Sequence, residues 1–133
     1  MPAKDKYHDT VIRALEKDGW RIVRQQVLIT VGTRHLWLDL KAERDGQFIY
    51  VEVKGFETHY SIVDYLYASI GQCVTYLAAI DHLKLGVPLY LAVPQKALNG
   101  ILSEVIGQIA IQRAGIQLMS FDIDREEILQ WDR

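Results

Sequence analysis

The sequence predicts a single α/β domain over residues 1–133, a mixed central sheet flanked by helices, with elements in the order α-β-β-β-α-β-α-β. Three observations carry this. Asp45-Gly46 lies between two alternating, β-prone runs, the strongest short hairpin signal, because both central residues of a type I′ turn need positive φ. A helical apolar period from Ser61 to about Leu83 leads into the continuous apolar run 87–93, as expected of a crossover onto a buried, parallel strand. The length of 133 residues, 50% of them hydrophobic, suits one domain with one core.

The first helix is capped by Asp5, shows Tyr7, Val11, Ile12 and Leu15 on its apolar stripe, and ends at Gly19. Residues 20–31 read as a strand through Ile22, Val27, Ile29 and Val31, with a bend or bulge at Arg24-Gln25-Gln26. After a turn at Gly32-Thr33 come the hairpin strands, 35–42 and 47–54. Their alternation places Leu36, Leu38, Leu40, Ile49, Val51 and Val53 on a core face. Trp37, Asp39, Lys41, Tyr50, Glu52 and Lys54 share the other face, expected as a partly covered cleft. Ser61 with Asp64 resembles a capping box, and Ile62, Leu66, Ile70, Val74 and Leu77 form the apolar face of the long helix. Pro94 ends the following strand and opens a helix carrying Leu98, Ile101, Leu102, Val105 and Ile109 to Gly115. Residues 116–121 read as a last strand, and the acidic tail as a short helix ending near Trp131.

Net charge is −2, so no overall basicity advertises nucleic acid. Residues 1–60 carry 10 Lys/Arg against 9 Asp/Glu, and residues 61–133 carry 5 against 8. An anionic ligand would meet the first half, where Arg21, Arg24, Arg34, Lys41 and Arg44 lie; a solvated mixed-charge surface explains the same pattern. The single cysteine, Cys73, reads as a small core residue and fits a reducing compartment. With no apolar signal core at the N-terminus and no run long enough to span a bilayer, the expected location is cytoplasmic.

Centring the hairpin on Asp45-Gly46 sets Asp39 opposite Glu52, and Lys54 shares their face. Facing carboxylates repel, so a cation between them is the natural complement. Oxygen ligands suit Mg²⁺ or Mn²⁺, which can bind a phosphate oxygen and lower the pKa of a bound water. The lysine would position that water or neutralise developing charge. On an exposed strand the same string would be a solvated pair, Lys54 balancing Glu52.

Leu38-Asp39, a 12-residue gap and Glu52-Val53-Lys54 resemble the PD-(D/E)xK nuclease motif, and the element order resembles its restriction-endonuclease-like core, α-β-β-β-α-β. The resemblance implies that Asp39, Glu52 and the Val53 carbonyl bind Mg²⁺ and that Lys54 serves catalysis. Gln72 and Tyr76 resemble the Q-x-x-x-Y motif of the RecB-like branch, which lines the active site. Leu38 stands where the motif's name has proline. His8 falls where archaeal Holliday-junction resolvases place a catalytic Glu, and reads either as a site residue or as a helix-surface histidine.

A second resemblance covers nearly the whole chain. Lys6-Tyr7-His8-Asp9, residues 15–20, Val51-Glu52-Val53-Lys54, Ile70-Gly71-Gln72 and residues 89–94 resemble the XisH family, cyanobacterial excision-controlling factors of the fdxN element. It implies control of DNA excision beside a separate recombinase, with a small partner, XisI. Two function classes follow: a Mg²⁺-dependent DNA endonuclease, for which a homodimer is a further expectation, or a non-catalytic regulator that keeps the fold to bind DNA or XisI.

Overall fold

A computed structural model describes residues 4–132. Its elements are α1 (His8–Lys17), β1 (Arg21–Val31), β2 (Arg34–Arg44), β3 (Gln47–Val53), α2 (Ile62–His82), β4 (Leu89–Pro94), α3 (Gln95–Asn99), α4 (Val105–Ala114), β5 (Gln117–Asp122) and β6 (Glu127–Trp131). The first six run in the expected order, α-β-β-β-α-β. The strands form one sheet, β1-β2-β3-β4-β5-β6. The first three are antiparallel, β3-β4 and β4-β5 are parallel, and β6 returns antiparallel to β5. The α2 and α4 crossovers make those parallel pairs possible.

Asp45 and Gly46 have φ 53 and 79, the two positive values a type I′ turn requires. Leu40 pairs with Val51 and Lys41 with Tyr50, the register the turn predicts. α1 covers one sheet face, Val11 and Leu15 packing on Leu40, Ala42, Ile49, Val51 and Val53. α2 and the α3–α4 segment cover the other, α2 through Leu66, Cys73, Tyr76, Ala79 and Ile80.

Four expectations are corrected. Leu38 leaves the α1 face and packs with Val27 and Ile29 against Tyr76, Ala79 and Ile80, with Leu36 beside them. The switch falls at the predicted irregularity: the register shifts between Ile22 and Arg24, and Gln26 has φ 53, which breaks the two-residue alternation. The stripe of α2 runs through Leu66, Ser69, Cys73, Tyr76 and Ile80, while Val74 is 44% exposed. That helix is apolar nearly all round, so its sequence does not single out one stripe. The helix after Pro94 is broken: α3 stops at Asn99, a 3₁₀ turn spans Ile101–Ser103, and α4 begins at Val105. Gly107 lets α4 pack onto that turn, since a Cβ there would sit 2.2 Å from the Ile101 carbonyl oxygen. Finally, the acidic tail forms β6 rather than a helix. Asp122 Oδ1 accepts from the N–H groups of Asp124 and Arg125, closing a turn that sends the chain back along β5.

Ser61 caps α2, its Oγ accepting from Asp64 N–H at 3.2 Å. Asp5 acts one turn ahead of α1 instead of capping it directly. Its Oδ1 accepts from Tyr7 N–H, and its Oδ2 accepts from Gly55 N–H, tying the chain before α1 to the loop after β3. Among the described residues no helix is long and apolar enough to cross a membrane.

Candidate active site

The β2–β3 ladder runs only as far as Leu40–Val51, and beyond it the next residues bridge the strands with side chains. The N–H of Asp39 donates to Glu52 Oε1 at 3.0 Å, and the N–H of Val53 donates to Asp39 Oδ2 at 2.7 Å. Each carboxylate thus commits one oxygen to the opposite backbone. Two carboxyl groups replace a rung of backbone hydrogen bonds, so the strands splay where the acids converge.

Both acids are buried, Asp39 at 7% and Glu52 at 4% exposure. Burial, and then the neighbouring Asp39 charge, pushes the Glu52 carboxyl up to about 8. Burial also raises Asp39, against the Val53 N–H and the nearby charges of His8 and Lys54. Around neutral pH the pair therefore holds a proton. Lys54 follows β3 directly; its N–H donates to the Ala92 carbonyl at 3.0 Å, which fixes its backbone on the parallel strand.

Asp39, Glu52, Val53 and Lys54 meet Trp37 and Gln72 around a pocket of about 220 Å³. A larger hollow, about 510 Å³, lies beside Leu102, Ile111 and Ile116, but Asp132 is its lone charged wall residue. The titratable chemistry sits in the smaller pocket. Gln72 reaches it from α2, with its Nε2 donating to Tyr76 Oη at 2.9 Å. That hydroxyl donates in turn to the Trp37 carbonyl at 2.8 Å. Tyr76 is not a wall: it pins α2 to β2 two residues before Asp39 and holds Gln72 in place. His8 is not a wall either, nor a surface residue. It is 1% exposed on α1, with Nε2 3.1 Å from Gln25 Oε1. Asp5 is a wall of the pocket that the sequence presented only as a cap. Gly55, next to Lys54, has no room for a side chain, because its Cβ would lie 2.9 Å from the Tyr7 ring.

The donor set fits a hard divalent cation. Asp39 and Glu52 supply carboxylate oxygens, and the Val53 carbonyl lies on the strand edge that its N–H presents to Asp39. Among the described residues no group of three His, Cys, Asp or Glu side chains surrounds the point, so a cation held here would keep several of its waters, as Mg²⁺ prefers. Cys73 is buried in the α2 core and is not a wall of this pocket; burial pushes its thiol up to about 12.

Replacing Gln72 with alanine removes a pocket wall and one half-buried hydrogen bond. The expected stability loss is about 1 kcal/mol. If the site is catalytic and Gln72 serves it, the reaction rate falls at least about tenfold, well beyond what so small a stability loss accounts for. Melting curves and rates on the same preparation separate the two; a change in melting temperature alone makes Gln72 structural.

The XisH protein family model matches residues 1–129. The crystal structure of an XisH family protein from Nostoc punctiforme superposes with a TM-score of 0.91 at 33% identity, covering 97% of this chain and all of that one. The fdxN element excision controlling factor protein from Anabaena variabilis gives a TM-score of 0.92 at 33% identity, covering 98% of this chain and all of that one. No curated protein matches the chain.

Proposed function

The chain belongs to the XisH family, and on that premise we propose that it is an excision-controlling factor for a DNA element and acts as a Mg²⁺- or Mn²⁺-dependent DNA endonuclease. The observation that carries the reading is the convergence of two buried carboxylates and a lysine on one pocket. A binding-only module has no use for a buried acid pair that destabilises it when no cation is present. A divalent cation, when bound, supplies a Lewis acid for the scissile phosphate and an acidified water. Asp39 and Glu52 hold it, with the Val53 carbonyl. Lys54 orients the attacking water and offsets charge on the phosphate. Gln72 restricts the pocket from the α2 side. DNA is the proposed substrate, and an XisI-like small protein and a site-specific recombinase are the proposed partners.

Charge favours the second reading, a nuclease-fold regulator without catalysis. Of the basic residues, Arg21 is paired with Glu43 and Arg44 with Asp18, while Lys41 lies over Phe48 and Tyr50. With a net charge of −2, the chain has no overall excess of cations to release counterions from DNA without a partner's help. The deciding experiment incubates purified protein with supercoiled, linear, branched and single-stranded DNA, with and without the partner, in Mg²⁺, Mn²⁺ or chelator. Cation-dependent nicks or breaks are expected. Inertness on every substrate, with the partner present, favours the regulator.

A further inference from the structure

A second hollow, of about 460 Å³, opens along the chain from the acid-pair pocket. Lys4, Asp5 and Lys54 wall the pocket; Lys6, Phe56 and Glu57 wall the hollow. The two runs are tied together between them, where Asp5 Oδ2 accepts from Gly55 N–H at 2.9 Å. Two residues of extended chain span at most about 7 Å. At about 3.4 Å of rise per nucleotide, the hollow begins roughly two nucleotides from the pocket.

The hollow is lined for an anion and already holds one. Lys6 and Lys96 stand on its wall with His59, and Glu57 is the one acid among the wall residues. Glu57 Oε2 accepts from Lys6 Nζ at 2.6 Å, and its Oε1 accepts from the Tyr7 hydroxyl at 2.5 Å. The Lys6 bond first, then the Tyr7 bond, and after them the charges of Lys6 and Lys96, hold this carboxyl below its ordinary range. Lys96, on α3, has no carboxylate within ion-pair distance among the described residues. The Lys6–Glu57 pair is 63% and 36% exposed, and a pair so exposed adds little to stability. The fold therefore does not need Glu57 where it is. Its loop has no regular structure over residues 54–58, and the preceding residue is strained: Phe56 has φ 54, a region that bulky side chains rarely occupy. Packing of its buried ring on Tyr65, centroids 4.9 Å apart, sustains that strain.

On the reading of DNA as the substrate of the neighbouring pocket, we infer that the hollow seats a DNA backbone phosphate between Lys6 and Lys96, and that Glu57 fills this seat as an internal counter-ion until DNA displaces it. A phosphodiester carries two anionic oxygens, each able to accept more than one bond, so it can engage both lysines. The carboxylate, committed to Lys6 and Tyr7, leaves Lys96 unpaired. In a chain of net charge −2, part of the cationic surface beside the pocket is thus masked until the loop moves.

Binding is read apart from cleavage, by fluorescence anisotropy of labelled single-stranded and duplex DNA in chelator over a range of salt. The proteins are wild type, Glu57→Gln, Lys96→Gln and Glu126→Gln. Glu57→Gln keeps the shape, removes the competing charge, and is expected to tighten binding at least about threefold. Lys96→Gln is expected to weaken binding and to lower the salt slope by one phosphate contact, about 0.9 on duplex or about 0.7 on single strands. Glu126→Gln makes the same change of net charge beside Arg13, away from the hollow, and is expected to bind like wild type. No tightening in Glu57→Gln, or equal tightening in Glu126→Gln, overturns the counter-ion. An unchanged slope in Lys96→Gln overturns the seat. Melting curves with Mn²⁺ keep the two readings apart. A protein that Mn²⁺ stabilises but that binds no DNA overturns the seat and leaves the metal site standing. The expected binding pattern without a Mn²⁺ response keeps the seat and removes the metal site.

Discussion

Replacing Glu52 with glutamine is expected to abolish the stabilisation by Mg²⁺ or Mn²⁺ and to make the cation-free protein more stable than wild type at alkaline pH. Glutamine keeps the shape, and its Oε1 can still accept from Asp39 N–H. It cannot become charged. In wild type the folded carboxyl titrates near 8, against 4.5 for the ordinary group. A raised pKa means that the folded state holds its proton more tightly than the unfolded chain. That contribution is complete below the unfolded value and is lost as pH rises through the folded one. Cation-free wild type should therefore lose about 1.4 kcal/mol per pH unit from this group, between roughly pH 4.5 and 8. The variant loses this slope. A divalent cation reverses the order of stability, because it favours the ionised pair that protons otherwise neutralise. Cation affinity in wild type should rise with pH up to about 8, as binding displaces a proton. Thermal scans at acidic and alkaline pH, with chelator and with saturating Mn²⁺, supply all four comparisons. An undiminished Mn²⁺ response in Glu52→Gln removes this residue from the site.

The hairpin that builds this pair was legible because its signals are local. Asp45-Gly46 fixes the turn, the turn fixes the register, and register sets Asp39 beside Glu52 without knowledge of the other strands. Ser61 was legible for the same reason, since a capping hydroxyl lies three residues from its donor. The long apolar run of β4 announced a strand buried on both faces. What escaped depended on distant contacts. The left-handed conformation of Gln26 lies just past the register shift of β1 against β2, and nothing in Arg24-Gln25-Gln26 specifies it beyond an interruption. The sequence left His8 open between a site residue and a helix-surface residue; in the structure its ring is buried and meets Gln25 of β1, a contact that no local pattern announces. The tail's acidic residues suited a helix start as well as a turn, and pairing along the open edge of β5 decided for the strand. The carboxylate pair was legible, then, but the burial of His8 and Gln26 was not.

Lys54 carries the second large effect. Its backbone is held by Ala92 of β4 and its side chain ends in the pocket, so Lys54→Ala should leave the sheet intact and the melting temperature close to wild type. Under the endonuclease proposal, cleavage should fall by about 10²- to 10⁴-fold, the range for losing a group that moves or orients a proton. The lysine also has a second action. Its charge favours ionisation of both Asp39 and Glu52. Removing it makes the pair retain protons more tightly and also removes a positive charge that repels the cation, so the apparent Mn²⁺ affinity shifts along with the rate. Raising Mn²⁺ to saturation distinguishes the two actions. Lost cation affinity is recovered at saturation, whereas a missing proton-handling or charge-stabilising group is not. A rate that stays low at saturating Mn²⁺ assigns Lys54 to the chemistry. Full recovery assigns it to the electrostatics of the acid pair, and the general-base role must then be sought elsewhere in the pocket. Lys54→Arg sharpens the distinction, because it keeps the charge but binds its proton too tightly to give it up. It should keep the wild-type cation affinity in either case, and restore cleavage only if charge was all that Lys54 supplied.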